Sequence, residues 1–178
     1  MAHAFIGVGS NINPEANIKK ALTLLAVQVS ILKISTFYRT EPENHPEQAP
    51  YFNGAVEIET NMSPHRLKYD ILRMIEKQMG RERREDRYAS RTIDLDLLLY
   101  DHLKIRTDDL ILPYPDILER PYLTIPLLEL EPDMILPGSD TPLNSALPRV
   151  SPEHMIQLNR YTENLRKEIF YGEQHRED

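Results

Sequence analysis

The amino-acid sequence predicts an α+β fold in which helices pack against an antiparallel β-sheet. Apolar residues switch between strand and helix periodicity in the order strand–helix–strand–strand–helix–strand. The chain has 178 residues, 40% hydrophobic and 28% charged, which suffices for one domain with a buried core. The net charge of −7 disfavours nucleic-acid and membrane partners, which normally require a positive surface.

The first three elements are a strand, a helix and a second strand. Residues 4–8 form an apolar run that ends in a Gly-Ser-Asn turn at 9–11, as expected for a strand entering a turn. This turn is predicted to cap the next helix or to approach a ligand. Apolar residues then recur at helical spacing over 14–29, and alternation over 29–38 predicts the second strand.

The next elements are a loop, a strand and a helix. Residues 41–50 are polar and contain three prolines, which predicts a loop, and alternation over 52–60 predicts the third strand. Ser63 and Pro64 have the form of a helix N-cap followed by proline. Gly80 stands where that helix should end.

The fourth strand is the strongly apolar segment 92–100. Ile105 is expected in a short edge strand, and residues 121–130 in a helix. Residues 151–153 have the pattern of a helix cap, and the amphipathic helix that follows is expected to reach Phe170.

This element order predicts a ferredoxin-like sandwich: a βαββαβ core with an antiparallel sheet, helices on one face, an additional edge strand and C-terminal helices. Residues 1–150 are expected to form the domain. Residues 151–178 are expected to add a helix and a tail docked on it, with a partner surface as the alternative for the helix.

Asp94 and Asp96 are the candidate metal ligands. Side chains two residues apart share one face of a strand, while Ile93, Leu95 and Leu97 point into the core. Two carboxylates on one face can bind one or two hard cations such as Mg²⁺ together with substrate phosphates. The alternative is an edge strand whose charges prevent aggregation.

Five arginines precede the aspartates. Four of them lie in residues 81–90, which are predicted to form a mobile loop, and the fifth follows directly after it. A guanidinium binds phosphate through paired hydrogen bonds and stays charged. Arg91 is interpreted as functional, whereas Arg83 and Arg84 are expected to pair with neighbouring acidic residues in solvent. The five residues are Arg81, Arg83, Arg84, Arg87 and Arg91.

A second group of residues is suited to a flat heterocycle. Thr40, Tyr51 and Asn53 flank the proline-containing loop. An asparagine amide offers donors and an acceptor to a heterocycle edge, and Tyr51 and Tyr122 could stack on its faces. Ordinary packing at the rim of the core is the alternative for both tyrosines.

Several other classes of site are disfavoured. The chain contains no cysteine, which excludes disulfides and thiolate chemistry, and its six histidines lack zinc-site spacing. The glycine turn lacks the Gly-Lys-Ser/Thr sequence of a phosphate-binding loop. No stretch approaches the ~20 apolar residues that span a bilayer, and no signal peptide is evident. We therefore expect a cytoplasmic protein, and a monomer.

Taken together, these segments resemble the 6-hydroxymethyl-7,8-dihydropterin pyrophosphokinase family over roughly the first 140 residues, with the Arg-x-x-Asp-x-Asp block as the most specific part. The segments that carry the resemblance are 9–11, 37–42, 51–53, 76–81, 87–98, 112–113, 119–120 and 125–129.

The resemblance implies a ferredoxin-like, ATP- and Mg²⁺-dependent enzyme with mobile loops. It would transfer pyrophosphate from ATP to the hydroxymethyl group of 6-hydroxymethyl-7,8-dihydropterin, giving the pterin diphosphate and AMP in folate biosynthesis. Asp94 and Asp96 would bind two Mg²⁺ ions, and Arg81 and Arg91 would bind the transferred phosphates. The ATP contacts would be Glu76, Arg81, Arg91, Leu97, Tyr114 and Arg120. The pterin contacts would be Thr40, Glu41, Pro42, Glu43, Tyr51, Asn53 and Tyr122.

The chain departs from the family pattern at several positions. Tyr88 stands where the family has tryptophan, and Ala89 and Ser90 replace Gly-Pro. Tyr114 replaces a histidine that contacts phosphate, and a phenol carries no positive charge. Residues after about 145 match no family segment. These departures leave a catalytically inactive ligand-binding domain, and more weakly an RNA-binding module, as alternatives.

Overall fold

The computed structural model describes residues 1–81, 86, 88–149 and 152–172. The β-strands are β1 Ala2–Ser10, β2 Ser30–Ile34, β3 Tyr38–Thr40, β4 Tyr51–Thr60, β5 Asp94–Tyr100, β6 Ile105–Arg106, β7 Ile111–Leu112 and β8 Ile156–Gln157. The α-helices are α1 Pro14–Gln28, α2 Pro64–Arg66, α3 Arg73–Gln78, α4 Pro121–Leu130 and α5 Asn159–Tyr171. A π-helical segment, Leu67–Leu72, joins α2 to α3. Short 3-10 helices span Pro115–Leu118 and Leu143–Arg149.

The main sheet has the strand order β5-β1-β4-β3-β8, and β2 pairs with β4 beside β3. All of these pairings are antiparallel. The fourth core strand, β5, therefore lies next to β1, and β1 lies next to the third core strand, β4. This arrangement confirms the predicted ferredoxin-like sandwich.

Two hydrophobic clusters cover the two faces of the sheet. The larger one joins the sheet to α1, α3 and α5, with Ile6, Leu22 and Ile75 among its fully buried members. The smaller one joins the other face to α4 through Leu98 and Leu127. The prediction of helices on one face is therefore wrong for α4, which packs on the opposite face.

The predicted second strand is divided into β2 and β3. Between them, the Ser35 hydroxyl accepts a hydrogen bond of 2.9 Å from the backbone N–H of Ala55. A side chain thus replaces a backbone partner, and the chain bends so that Phe37 is fully buried. The β-strand propensities of the residues do not predict this break between β2 and β3, because serine and phenylalanine both occur within regular strands.

Of two further element predictions, one was confirmed and one was wrong. Ile105 lies in a short strand after the turn at Asp101, as predicted, and pairs with Leu112 in a separate two-stranded sheet. The last helix begins later than predicted, at Asn159, and the residues before it form β8 at the edge of the main sheet. None of the described helices combines the length and the apolarity that a bilayer span requires.

Replacing Gly54 of β4 with alanine is expected to destabilise the protein by about 1–3 kcal/mol because it overpacks the core. A Cβ atom at Gly54 would lie 2.9 Å from ring carbons of Phe37, which is fully buried. Chemical denaturation of the two proteins measures the difference. Gly172→Ala is the matched control, since a Cβ there meets no atom within 4 Å. Equal losses in both variants would contradict the packing argument.

Candidate active site

A cavity of about 410 Å³ opens at the end of the sheet where β1, β4 and β5 meet. Eleven of the predicted residues line it: Thr40, Glu41, Glu43, Tyr51, Asn53, Arg91, Asp94, Asp96, Tyr114, Arg120 and Tyr122. Four others, namely Pro42, Glu76, Arg81 and Leu97, are not among the lining residues. Arg83, Arg84 and Arg87 lie outside the described residues.

Strand β5 presents the two aspartates as its alternation predicted. Ile93, Leu95 and Leu97 are buried, whereas Asp94 and Asp96 face the cavity. Opposite them on β1 lie two glycines, because Asp94 pairs with Gly9 and Asp96 with Gly7.

The glycines leave space in front of the carboxylates. Both Gly7 and Gly9 line the cavity. A Cβ atom at Gly9 would come within 2.5 Å of the Asn53 Oδ1 atom and would clash with it. The sequence analysis offered a ligand approach for the turn that begins at Gly9 but missed Gly7, although the two-residue spacing of the glycines matches that of the aspartates.

Asp94 joins the two arginines predicted to bind phosphate. Arg81 donates from Nη1 to Asp94 Oδ1 at 2.9 Å, and Arg91 donates from Nη1 to Asp94 Oδ2 at 2.6 Å. Burial alone would lower the pKa of Arg91, but the Asp94 carboxylate outweighs burial and raises this pKa. The Arg91 guanidinium is therefore charged, and hydrogen bonds hold both arginines beside Asp94.

The turn after β1 fixes Arg91. The backbone N–H of Arg91 donates to Asn11 Oδ1 at 2.8 Å, and the Asn11 N–H donates to the Arg91 carbonyl at 3.2 Å. The expectation that this turn caps the first helix was wrong, since the N-cap position is Asn13. The turn instead anchors the segment that leads into β5.

Glu76 lies behind the cavity and holds Arg81. It is 3% exposed, forms an ion pair with Arg81, and accepts a 2.9 Å hydrogen bond from the Leu95 N–H. Burial raises the pKa of Glu76, and the Arg81 charge opposes this rise. Gly80, with φ +77°, reverses the chain so that the Arg81 N–H reaches the Glu76 carbonyl at 3.0 Å.

Asp96 stands in an environment that disfavours its charge. Burial raises the pKa of Asp96 well above its usual range, and the negative charges of Asp94 and Glu76 raise it further. A bound cation would reverse this balance. Among the described residues, no group of three or more His, Cys, Asp or Glu side chains is placed to hold a metal by itself. A cation here would therefore need oxygen ligands from a substrate or from water.

Arg120 links the two predicted subsites. It forms an ion pair with Glu43 of the β3–β4 loop, a 3.0 Å ion pair with Asp116, and a 2.9 Å hydrogen bond to the Tyr122 hydroxyl. Burial raises the pKa of Tyr122 to about 12, so its hydroxyl stays neutral. Asp116 was missed by sequence reasoning; its i,i+4 spacing to Arg120 is the signal that could have identified it.

The remaining lining residues lie on β3, on β4 and just after β7. Asn53 donates from Nδ2 to the Thr40 hydroxyl at 2.8 Å, which fixes the plane of its amide. The Tyr51 hydroxyl donates to the Ala89 carbonyl at 3.5 Å. Burial raises the pKa of Tyr114, and the charges of Asp96 and Asp94 add to the shift. Its phenol therefore supplies no positive charge to the cavity.

Paired carboxylates beside two partly buried arginines, on the sheet of an α+β sandwich, define an enzyme of the phosphoryl-transfer class. Comparison with protein families gives the particular group. The family model described as 7,8-dihydro-6-hydroxymethylpterin-pyrophosphokinase (HPPK) matches residues 5–132. The chain belongs to this family, whose members transfer pyrophosphate to hydroxymethyldihydropterin in folate biosynthesis.

Relatives in several organisms agree with this assignment. The 2-amino-4-hydroxy-6-hydroxymethyldihydropteridine pyrophosphokinase of Bacillus subtilis is 39% identical over 130 residues, which is 71% of this chain and 77% of the relative. The Haemophilus influenzae protein of the same name is 35% identical over 163 residues, which is 89% of this chain and 99% of the relative. A folate synthesis bifunctional protein of Arabidopsis thaliana is 41% identical over 127 residues, which is 70% of this chain but 26% of that protein.

Solved structures show the same fold. An HPPK-DHPS chain in complex with substrates superposes with a TM-score of 0.64 at 14% identity, covering 96% of this chain and 47% of that chain. The Plasmodium falciparum HPPK-DHPS superposes with a TM-score of 0.63 at 13% identity, covering 97% of this chain and 45% of that chain. This chain thus spans about half the length of those two chains.

Proposed function

We propose that this protein transfers pyrophosphate from ATP to the hydroxymethyl group of 6-hydroxymethyl-7,8-dihydropterin, giving the pterin diphosphate and AMP. The observation that carries the proposal is the ion-pair cluster of Arg81, Arg91 and Asp94 at one side of a cavity whose other wall carries Asn53 and Tyr122. One side is suited to a metal-bound polyphosphate and the other to a flat, polar heterocycle.

Two Mg²⁺ ions would be held by Asp94 and Asp96 together with oxygens of the triphosphate. The donor set fits this cation, because carboxylate oxygens are hard ligands and the two side chains share one strand face. The raised pKa of Asp96 supports the same assignment, since burial and the charges of Asp94 and Glu76 outweigh the charges of Arg81 and Arg91, and a cation would offset them. When bound, the ions would neutralise charge that develops on the phosphates.

The chain's own part in the reaction is positioning and charge stabilisation. Arg81 and Arg91, already aimed at Asp94, would bind the transferred phosphates, with Glu76 and Leu97 behind them and Tyr114 and Arg120 on the nucleotide side. The hydroxymethyl oxygen attacks the β-phosphorus, and the bond from that phosphorus to the α–β bridging oxygen breaks, releasing AMP. The hydroxyl proton passes to water or to a phosphate oxygen, and no protein nucleophile is required.

The acceptor would lie against the wall formed by β3 and β4. Tyr51 and Tyr122 would stack on the two faces of the pterin ring. Asn53 would read its edge, because the hydrogen bond to Thr40 leaves one amide N–H and the amide oxygen directed elsewhere. The backbone from Thr40 through Glu41 and Pro42 to Glu43 would complete the pocket.

The product assay tests this function directly. The protein, ATP, Mg²⁺ and reduced 6-hydroxymethylpterin should give AMP and the pterin diphosphate in equal amounts. A 6-methyl analogue, which lacks the attacking hydroxyl, is the matched control and should give neither product. ADP in place of AMP would indicate a simple kinase, and the absence of both nucleotides would contradict the proposal.

A ligand-binding domain without catalysis is the second candidate, and the neutral Tyr114 phenol favours it. Calorimetry with a non-hydrolysable ATP analogue separates the two functions. The enzyme is expected to bind the analogue much more tightly with Mg²⁺ than without it, whereas a binding domain need not require the metal. The monomeric state stays a prediction.

A further inference from the structure

Strand β8 and helix α5 lie beyond residues 5–132, the segment that the family model matches. We infer that Tyr161 and Thr162 of α5 are positioning residues for the acceptor: they hold Phe37 and β3, and thereby set the wall that carries Thr40 and Asn53. This inference rests on the proposed function, because it assigns that wall to the pterin.

The first link is a pair of hydrogen bonds to Phe37. The Phe37 N–H donates to the Thr162 hydroxyl at 2.9 Å, and the Leu158 N–H donates to the Phe37 carbonyl at 2.8 Å. Phe37 is fully buried and Thr162 is 1% exposed. Buried backbone groups require hydrogen-bond partners. The C-terminal segment supplies them to Phe37, which lies between β2 and β3.

The second link is aromatic packing behind the cavity. The Tyr161 ring meets Phe37 edge-on, with centroids 6.0 Å apart, and meets Phe52 at 5.5 Å. A Cβ atom at Gly54 would lie 2.9 Å from the Phe37 ring, so this ring rests directly on Gly54, which lines the cavity. Tyr161 therefore supports both residues that flank Asn53 on β4.

The third link is the strand ladder. Tyr38 of β3 pairs with Gln157 of β8 on one side and with Asn53 of β4 on the other. Thr40, the last residue of β3, accepts the hydrogen bond from Asn53. A shift of β8 would thus be transmitted through β3 to the Thr40–Asn53 pair.

The nucleotide side is anchored differently. Arg81 is held by Glu76 of α3, Asp94 lies on β5, and Arg91 is held by Asn11. These contacts lie near β5, and β5 and β8 are the strands at the two opposite edges of the main sheet. Loosening α5 should therefore affect the acceptor and spare ATP.

Steady-state kinetics with both substrates test the inference. Thr162→Val should raise KM for the pterin about tenfold and change KM for ATP and kcat by less than about twofold, since it leaves the Phe37 N–H without its partner. Thr162→Ser keeps the hydroxyl and should restore the pterin KM. Glu168→Gln is the matched control on the same helix, because it removes the surface ion pair with Lys19 and leaves the hydrogen bonds to Phe37 intact. An unchanged pterin KM, or equal rises in both KM values, would overturn the inference.

Hydrogen–deuterium exchange gives a readout that does not depend on turnover. Amides of residues 37–41 and 51–54 should exchange faster in Thr162→Val than in wild type, while those of 94–100 stay unchanged. Tyr161→Leu should have the same pattern and replaces Thr162→Val if that variant does not fold. Faster exchange throughout the sheet, or no change at 37–41, would refute positioning. Absence of AMP formation by the wild type would instead contradict the proposed function, and the exchange result would still decide the role of α5.

Discussion

Asp96→Asn is expected to lower the rate of AMP formation about a thousandfold, a barrier increase of about 4 kcal/mol. Asparagine keeps the shape of the side chain but removes the charge that would hold Mg²⁺ and the phosphates. Asp96 faces the cavity from β5 opposite Gly7, so the change leaves the core untouched. AMP formation and thermal unfolding are measured on the same preparations.

The stability of this variant should be equal to or higher than that of the wild type. The folded-state pKa of Asp96 is raised by burial and by the Asp94 and Glu76 charges, so the folded wild type binds this proton more tightly than the unfolded chain. Wild-type stability therefore decreases as pH rises through the window between the two pKa values, and the advantage of asparagine grows over that window. Asp108→Asn, the same change at an exposed turn, is the control. Wild-type turnover in Asp96→Asn would contradict the assignment of Asp96 as a metal ligand.

Arg81→Met is expected to destabilise the protein by about 3 kcal/mol at neutral pH, as removal of one partner from a buried ion pair does. Arg81 bonds both Glu76 and Asp94, and the Glu76 side chain is 4% exposed. Without Arg81 the buried Glu76 charge keeps only its 3.3 Å ion pair with the more exposed Arg73. Activity should fall as well, because Arg81 is assigned to the phosphates. Chemical denaturation measures the first effect and the AMP assay the second.

The pH dependence of the stability loss in Arg81→Met tests whether the buried Glu76 charge causes this loss. Removing Arg81 takes away the stronger of the two arginine interactions that oppose the raised pKa of Glu76, so this pKa rises further in the folded variant. The stability lost relative to wild type should therefore be greater at pH 7.5 than at pH 5, where Glu76 is more readily protonated. Adding Glu76→Gln to Arg81→Met should recover part of the loss. Arg66→Met, at a surface ion pair exposed by 67% and 61%, should change stability by less than about 0.5 kcal/mol. A pH-independent loss in Arg81→Met would exclude this explanation.

The parts of the fold that sequence predicted are those governed by local periodicity. The two-residue alternation of β5 placed Asp94 and Asp96 on one face, and Gly80 marked the end of its helix because a positive φ favours glycine there. The break between β2 and β3 depends on a contact between Ser35 and Ala55, twenty residues apart. No local pattern encodes such a contact.

The candidate site was predictable to a similar degree. Most of the residues named from sequence do line the cavity, but how they are held was not foreseen. Arg120 meets Glu43 across 77 positions of sequence, and Asn11 meets Arg91 across 80. These pairings arise from the order of strands in the sheet. Glu76 forms an ion pair with Arg81 that was not foreseen, and its contact with the nucleotide stays a prediction.

The short strand β8 is also expected to limit self-association. A free strand edge offers unpaired backbone groups to other chains, and β8 covers the edge that β3 would otherwise present. A chain cleaved before Ile156 would keep the whole family-matched segment yet display this edge beside the apolar Phe37. Such fragments should aggregate by edge-to-edge pairing. A fragment that ends with the segment matched by the family model, residues 5–132, is therefore expected to be less soluble than the full chain.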